Sequence, residues 1–193
     1  VHCEDEDTIN ANLQAAKGKY GDSIPFEEHP NIRSRMACFK SSMKALELAM
    51  KHGTKLHLCH ISTREEAEMA RAAKLHNPNI TTETSPNYLW FSSEDYKTKG
   101  ARVKCNPSIK TADDRQELRT ALLQGSIDTI GTDHAPHLAE EKEKAYTSCP
   151  SGMPSIQHSL PVLLTLSQEC EIPLTRIASA FSEKPAEIFN IED

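Results

Sequence analysis

The chain has 193 residues, 37% hydrophobic and 26% charged, a balance that suits one sizeable folded core and argues against both disorder and a membrane span. A formal net charge of -6 with no basic tract excludes a surface built for nucleic acid, which needs clustered Lys and Arg. Cys3, Cys38, Cys59, Cys105, Cys149 and Cys170 show neither CxxC spacing nor the density of a disulfide scaffold, so the expected setting is reducing and cytoplasmic and the expected partner a small molecule.

Val1-His2-Cys3 reads as the end of an apolar strand with His2 at its tip. Glu4-Asp5-Glu6-Asp7 then reads as a solvated loop or a helix N-terminus, where acids offset the helix dipole. From Ile32 to Lys51 the residues Met36, Phe39, Met43, Leu46 and Met50 recur at three and four, which predicts one core-facing helix closed by Gly53. Leu56, Leu58 and His60 alternate with Lys55, His57 and Cys59, the period of a strand, and this places His60 on the side of Leu56 and Leu58. Ser62 and Glu65 have capping-box spacing ahead of an alanine-rich helix running to Leu75.

Asn79 to Thr84 predicts another strand, leading into an aromatic loop, Ser85 to Phe91, that either lines a pocket or seals a barrel end. Arg102 to Cys105 reads as extended and ends at Asn106-Pro107, where proline bars a helical Asn106. A helix beginning at Asp113 or Asp114 carries Leu118 and Leu122 on one face and stops at Gly125. Ile127 to Thr132 is the last strand. A long loop through Cys149-Pro150-Ser151-Gly152 follows, then helices from Ser155 to Glu169 and Leu174 to Phe181, and a turn around Glu187-Ile188-Phe189.

That last strand runs into Gly131-Thr132-Asp133-His134-Ala135-Pro136-His137, one carboxylate and two imidazoles within five residues. Alternating strands and helices imply a parallel sheet whose C-terminal ends share one side, the side on which α/β barrels keep their chemistry. His2, His60 and Asp133 stand at three such ends. Two neutral imidazoles and a carboxylate suit a catalytic Zn²⁺ that keeps one position open to water. The plainer reading makes Asp133 a cap and each histidine structural; three together at the ends of one sheet favour metal.

His2-Cys3-Glu4-Asp5, His60-Ile61-Ser62-Thr63, Glu83-Thr84-Ser85-Pro86, Asn106-Pro107, the Gly131 to His137 motif and Lys184-Pro185-Ala186-Glu187-Ile188-Phe189 together resemble the dihydroorotases of the amidohydrolase superfamily. The likeness spans nearly the whole chain, and its most specific part is the Ala-Pro-His ending of the central motif. It implies a TIM-type (β/α)8 metal-dependent hydrolase barrel that opens dihydroorotate to N-carbamoyl-aspartate in pyrimidine biosynthesis. It implies also that His2 and His60 ligate one zinc and Asp133 a second, with Asp133 as proton shuttle. Asn106 and His137 would bind substrate, and the loop with Ser151 and Gly152 would close over it through backbone groups.

Two departures accompany the resemblance. Pro86-Asn87-Tyr88-Leu89 stands where the family commonly has Pro-His-His-Leu. The family's His-x-His pair and its bridging carboxylate or carboxylated lysine have no counterpart, and are expected before Val1. Residues 1–193 would then be the C-terminal portion of a single barrel domain, inactive alone. Hydantoinase, dihydropyrimidinase or allantoinase activity, or a non-catalytic dihydroorotase-like subunit, are the rival readings, and a homodimer stays open.

Overall fold

A computed structural model describes residues 1–191. Helix α1 (Glu6–Tyr20) begins where Asp5 accepts the Thr8 N–H at 3.1 Å, and a short turn α2 (His29–Ile32) leads to the long α3 (Arg35–His52). Strand β1 (Leu56–Leu58), α4 (Arg64–Lys74), β2 (Ile80–Thr84) and α5 (Pro86–Trp90) follow. After α6 (Tyr96–Lys99) come α7 (Ala112–Leu123), β3 (Thr129–Ile130), α8 (Ala139–Lys142), α9 (Ile156–Glu169), α10 (Leu174–Ala178) and α11 (Lys184–Phe189).

The strands form one parallel sheet in the order β1-β2-β3, with Leu56 opposite Ile80 and Thr84 opposite Ile130. Val1 extends it. Cys59 N–H donates to the Val1 carbonyl at 3.0 Å and the Val1 amine to the His57 carbonyl at 2.6 Å, so His2 emerges beside the end of β1 as the strand-end reading required. These elements make an open α/β sheet among the described residues, not a closed eight-stranded barrel.

One face of the sheet is covered. Leu58 and Ile80 pack there with Leu118 and Leu122 of α7 and Leu163 and Leu166 of α9, all at most 1% exposed. Each such side chain contributes about 1.5–3 kcal/mol of transfer free energy. A smaller cluster of Ile9, Ala16, Ile24, Ile32, Ala37 and Tyr146 seats α1.

Several expectations are corrected in detail. The buried face of α3 is Ala37, Cys38, Ser42, Leu46 and Ala49, while Met36, Met43 and Met50 are exposed. Small residues form that face because α3 packs closely on α4 and β1. The box at α4 lies one residue later than its expected place, with Thr63 as cap and Glu66 as its partner. The aromatic segment is the helix α5, with Tyr88 and Leu89 buried, and of the extended piece expected over Arg102–Cys105 the first two residues lie in a 3-10 turn, Gly100–Val103, while Lys104 is extended. Strand β1 ends at Leu58; His60 takes a left-handed backbone (φ 38°) that breaks the alternation, and its ring meets His2.

Candidate active site

His2 and His60 meet at the strand ends, with His2 Nδ1 and His60 Nε2 3.1 Å apart. His2 is oriented from behind. Glu4, its side chain fully buried, receives His2 Nε2–H at 3.0 Å and is also paired with Arg33. Burial pushes the Glu4 carboxyl up, but the His2 hydrogen bond and the charges of Arg33 and Lys110 outweigh it and hold it below the ordinary range. A proton fixed on Nε2 leaves the Nδ1 lone pair of His2 aimed at His60, so two ring nitrogens face each other across a gap that a cation or one proton must occupy. The pair therefore fits a divalent metal.

His60 is held through its backbone. Its N–H donates to Glu83 Oε1 at 3.3 Å, and its Nδ1 is buried without a partner. Burial, then the charge of His2, lower its pKa despite Asp133 and Glu83, which favours the neutral form that ligates. Asp133 follows β3 in a left-handed conformation (φ 49°), a sparsely populated state for a residue other than glycine. Burial, and then Glu83, raise its pKa against the pull of His60 and His2. Asp133 is thus within electrostatic reach of both rings, yet the three do not draw together as closely as a single-ion cluster. Among the described residues, only His57, Cys59 and Glu83 bring ligand atoms all within 4.8 Å of one another.

The remaining candidates gather on a second loop. His137 Nε2 lies 3.1 Å from the Ser151 carbonyl and donates to it, and its Nδ1 lies 3.7 Å from Glu141. Gly152 (φ 143°) is wedged against the 135–137 segment: a Cβ there would overlap the Ala135 carbonyl and lie 3.0 Å from His137 Nε2. Its N–H donates to the Lys104 carbonyl at 2.9 Å, which brings this loop beside the Asn106 segment. Asn106 Oδ1 is buried and unpartnered. A cavity of about 290 Å³ opens here, lined by Arg102, His137, Lys142, Gly152 and Pro154 among others.

His134, central to the motif, serves the fold. Its Nδ1 accepts the N–H groups of Ser155 (2.9 Å) and Ile156 (3.2 Å), supplying α9 with the N-terminal cap that Ser155 itself does not make. Asn87 and Tyr88 are both buried; the Tyr88 hydroxyl donates to the Pro107 carbonyl at 2.8 Å and braces the segment after Asn106, while Asn87 Oδ1 accepts from the Ser155 hydroxyl at 3.4 Å. Glu4, Arg33 and Glu83 escaped sequence reasoning as parts of the site. Glu4 stands in an acidic run and Glu83 within a β-branched strand, so neither is marked out by its residue type or its neighbours.

The chain belongs to the amidohydrolase family, whose model matches residues 1–193. A dihydroorotase of Staphylococcus epidermidis is 34% identical over 192 residues, covering 99% of this chain and 44% of that protein. The dihydroorotase of Anoxybacillus flavithermus is 34% identical over 193 residues, again 44% of its length. Among solved structures, the L-hydantoinase (dihydropyrimidinase) from Arthrobacter aurescens superposes with a TM-score of 0.91 at 27% identity, over 99% of this chain and 43% of that one. The chain thus spans less than half the length of the curated relatives it matches.

Proposed function

We propose that the intact protein is a metal-dependent cyclic amidohydrolase that reversibly hydrolyses dihydroorotate to N-carbamoyl-aspartate in pyrimidine biosynthesis, in the cytoplasm. The observation that carries this is the pair of imidazole nitrogens 3.1 Å apart at the ends of parallel strands, within reach of Asp133. The identity to proteins named dihydroorotase supports the substrate. In this reading residues 1–193 are one portion of a (β/α)8 barrel, and two Zn²⁺ complete the site with ligands from outside these residues.

His2, through Nδ1, and His60, through Nε2, would hold one ion and Asp133 the other. Bound there, zinc supplies an acidified water and polarises the amide carbonyl. Asp133 would take up a proton and return it to the leaving nitrogen. Asn106, through its unpartnered Oδ1 or the amide beside it, and the Ser151-Gly152 backbone would offer polar groups to the ring amide, and His137, whose Nε2 now donates to the Ser151 carbonyl, would bind the substrate carboxylate. Arg102, lining the cavity beside His137, would add a positive charge there, while the Lys142 ammonium is held by three backbone carbonyls.

The second reading is a hydantoinase or dihydropyrimidinase, favoured by the 0.91 superposition on the Arthrobacter enzyme. Turnover of dihydroorotate, hydantoin, dihydrouracil and allantoin by the intact, zinc-loaded protein separates the two. A preference of tenfold or more in kcat/KM for hydantoin or dihydrouracil would replace the first with the second. Turnover of none would leave a non-catalytic subunit.

A further inference from the structure

A second group of metal-ligating atoms lies on the same strands as the His2–His60 pair but does not include either ring. His57 sits on β1, Cys59 just past its end, and Glu83 on β2, where His57 is registered opposite Thr81. Alternation with a period of two sends His57, Cys59, Thr81 and Glu83 to the face opposite Leu58 and Ile80. One ligand atom from each of His57, Cys59 and Glu83 lies within 4.8 Å of the other two.

The hydrogen bonding around His57 decides what the group can do. Thr81 Oγ1 stands 2.8 Å from His57 Nδ1 and 3.4 Å from the Leu56 carbonyl. With its hydrogen given to that carbonyl, the hydroxyl accepts from Nδ1–H, and the neutral ring then carries its lone pair on Nε2. Nε2 is buried, has no hydrogen-bond partner, and faces Glu83 Oε2 at 3.5 Å. An imidazole lone pair set against a carboxylate oxygen is unfavourable until a positive charge lies between them. The Cys59 thiol borders the same space. Imidazole, thiolate and carboxylate are together the donors of a borderline-soft ion, and an outer bond to the far ring nitrogen is how a metal-binding histidine is fixed.

The geometry points to a cation site formed by His57 Nε2, Cys59 Sγ and Glu83, taking a divalent ion of the zinc class and separate from the His2–His60 pair. On binding, the Cys59 thiol releases its proton to solvent and ligates as thiolate. Glu83 is the link between the sites, since its Oε1 receives the His60 N–H while Oε2 faces His57. An ion held here therefore steadies the backbone of His60. The site does not depend on which cyclic amide the intact protein hydrolyses, and it stands even if that protein turns over none.

The test uses the intact protein, stripped by a chelator and titrated with Co²⁺. The wild type should show a sulfur-to-cobalt charge-transfer band in the near ultraviolet. It should also bind one more equivalent of metal than Cys59→Ser, which loses the band. His60→Ala should keep the band, and Thr81→Val should keep it with an affinity about 10- to 100-fold weaker. Absence of the band in the wild type, or its survival in Cys59→Ser, overturns the site. Its loss in His60→Ala would merge the two sites and overturn their separateness. A measurement that needs no variant is alkylation of Cys59 in the stripped wild type with and without Zn²⁺. Protection by the ion is expected, and equal labelling rates overturn the proposal.

Discussion

The carboxylate of Glu83 rests where the side chain of residue 131 would otherwise be: a Cβ on Gly131 would lie 2.6 Å from Glu83 Oε2. Glu83 in turn receives the His60 N–H, so the bare backbone at Gly131 sets where His60 sits. Gly131→Ala should therefore displace Glu83, destabilise the intact protein by about 1–3 kcal/mol through overpacking, and weaken metal retention. Thermal midpoints and metal analysis on one preparation would check both. Unchanged metal content beside a lowered midpoint would dissociate Glu83 from the site.

Glu4→Ala should loosen His2 without removing a ligand. It takes away the acceptor that keeps the proton on Nε2 and leaves Arg33 without its buried partner. Zinc affinity, measured by competition with a chelator, should fall about 10- to 100-fold. Glu4→Gln, which can still accept from His2, should recover part of the loss. Equal affinities in all three proteins would show that Glu4 does not orient the ring.

His137→Ala is expected to raise KM or reduce kcat/KM for dihydroorotate while metal stays bound. The ring lies against the Ser151 carbonyl, on the loop and not among the strand-end ligands. Loss of metal in this variant would make His137 a ligand.

His134→Ala tests a structural role inside a motif that reads as chemical. Removing the acceptor for the Ser155 and Ile156 N–H groups should cost about 1 kcal/mol, the usual worth of a helix cap. Metal content should not change. A variant of full stability but depleted in metal would reverse the assignment.

His29 gives the stability a pH dependence of known sign. It is buried between the Cys105 carbonyl (2.8 Å from Nε2) and the Tyr146 hydroxyl (2.7 Å from Nδ1). Burial, reinforced by Lys104, Arg33 and Lys110, pushes its pKa from 6.5 to about 3 despite the Cys105 hydrogen bond. Between those values the unfolded chain binds a proton that the folded chain refuses. Stability therefore falls as pH drops through 6.5, by up to about 1.4 kcal/mol per unit, until the folded ring also titrates. Replacing His29 with Gln should flatten that slope in urea midpoints taken between about pH 6 and pH 4. An undiminished slope would show that His29 is charged in the folded protein.

The legibility of the chain follows from how local each signal is. Gly53 as a stop, and Leu118 and Leu122 as a buried face, depend on neighbours within a turn or two, and each stands where the pattern put it. The motif at Asp133 was readable because its residue types are rarely combined. The buried face of α3 was not, because close packing on α4 selects Ala37, Ser42 and Ala49, which carry less hydropathy than the exposed Met36, Met43 and Met50. Glu4 read as solvated because its partner Arg33 lies 29 residues away. The turn of His60 toward His2 rests on one positive φ, which no side-chain alternation can announce.

One ammonium group ties the Gly152 loop down. Lys142 Nζ reaches the carbonyls of Lys104 (3.2 Å), Pro150 (3.0 Å) and Gly152 (3.0 Å), and Lys104 Nζ holds those of Tyr146 (2.8 Å) and Cys149 (2.5 Å). The resemblance led to a loop that closes over its ligand, but a segment stapled this way has already surrendered its conformational entropy. A ligand that docked at Ser151 and Gly152 would meet a loop already ordered, and its affinity would be spared the cost of ordering a mobile lid.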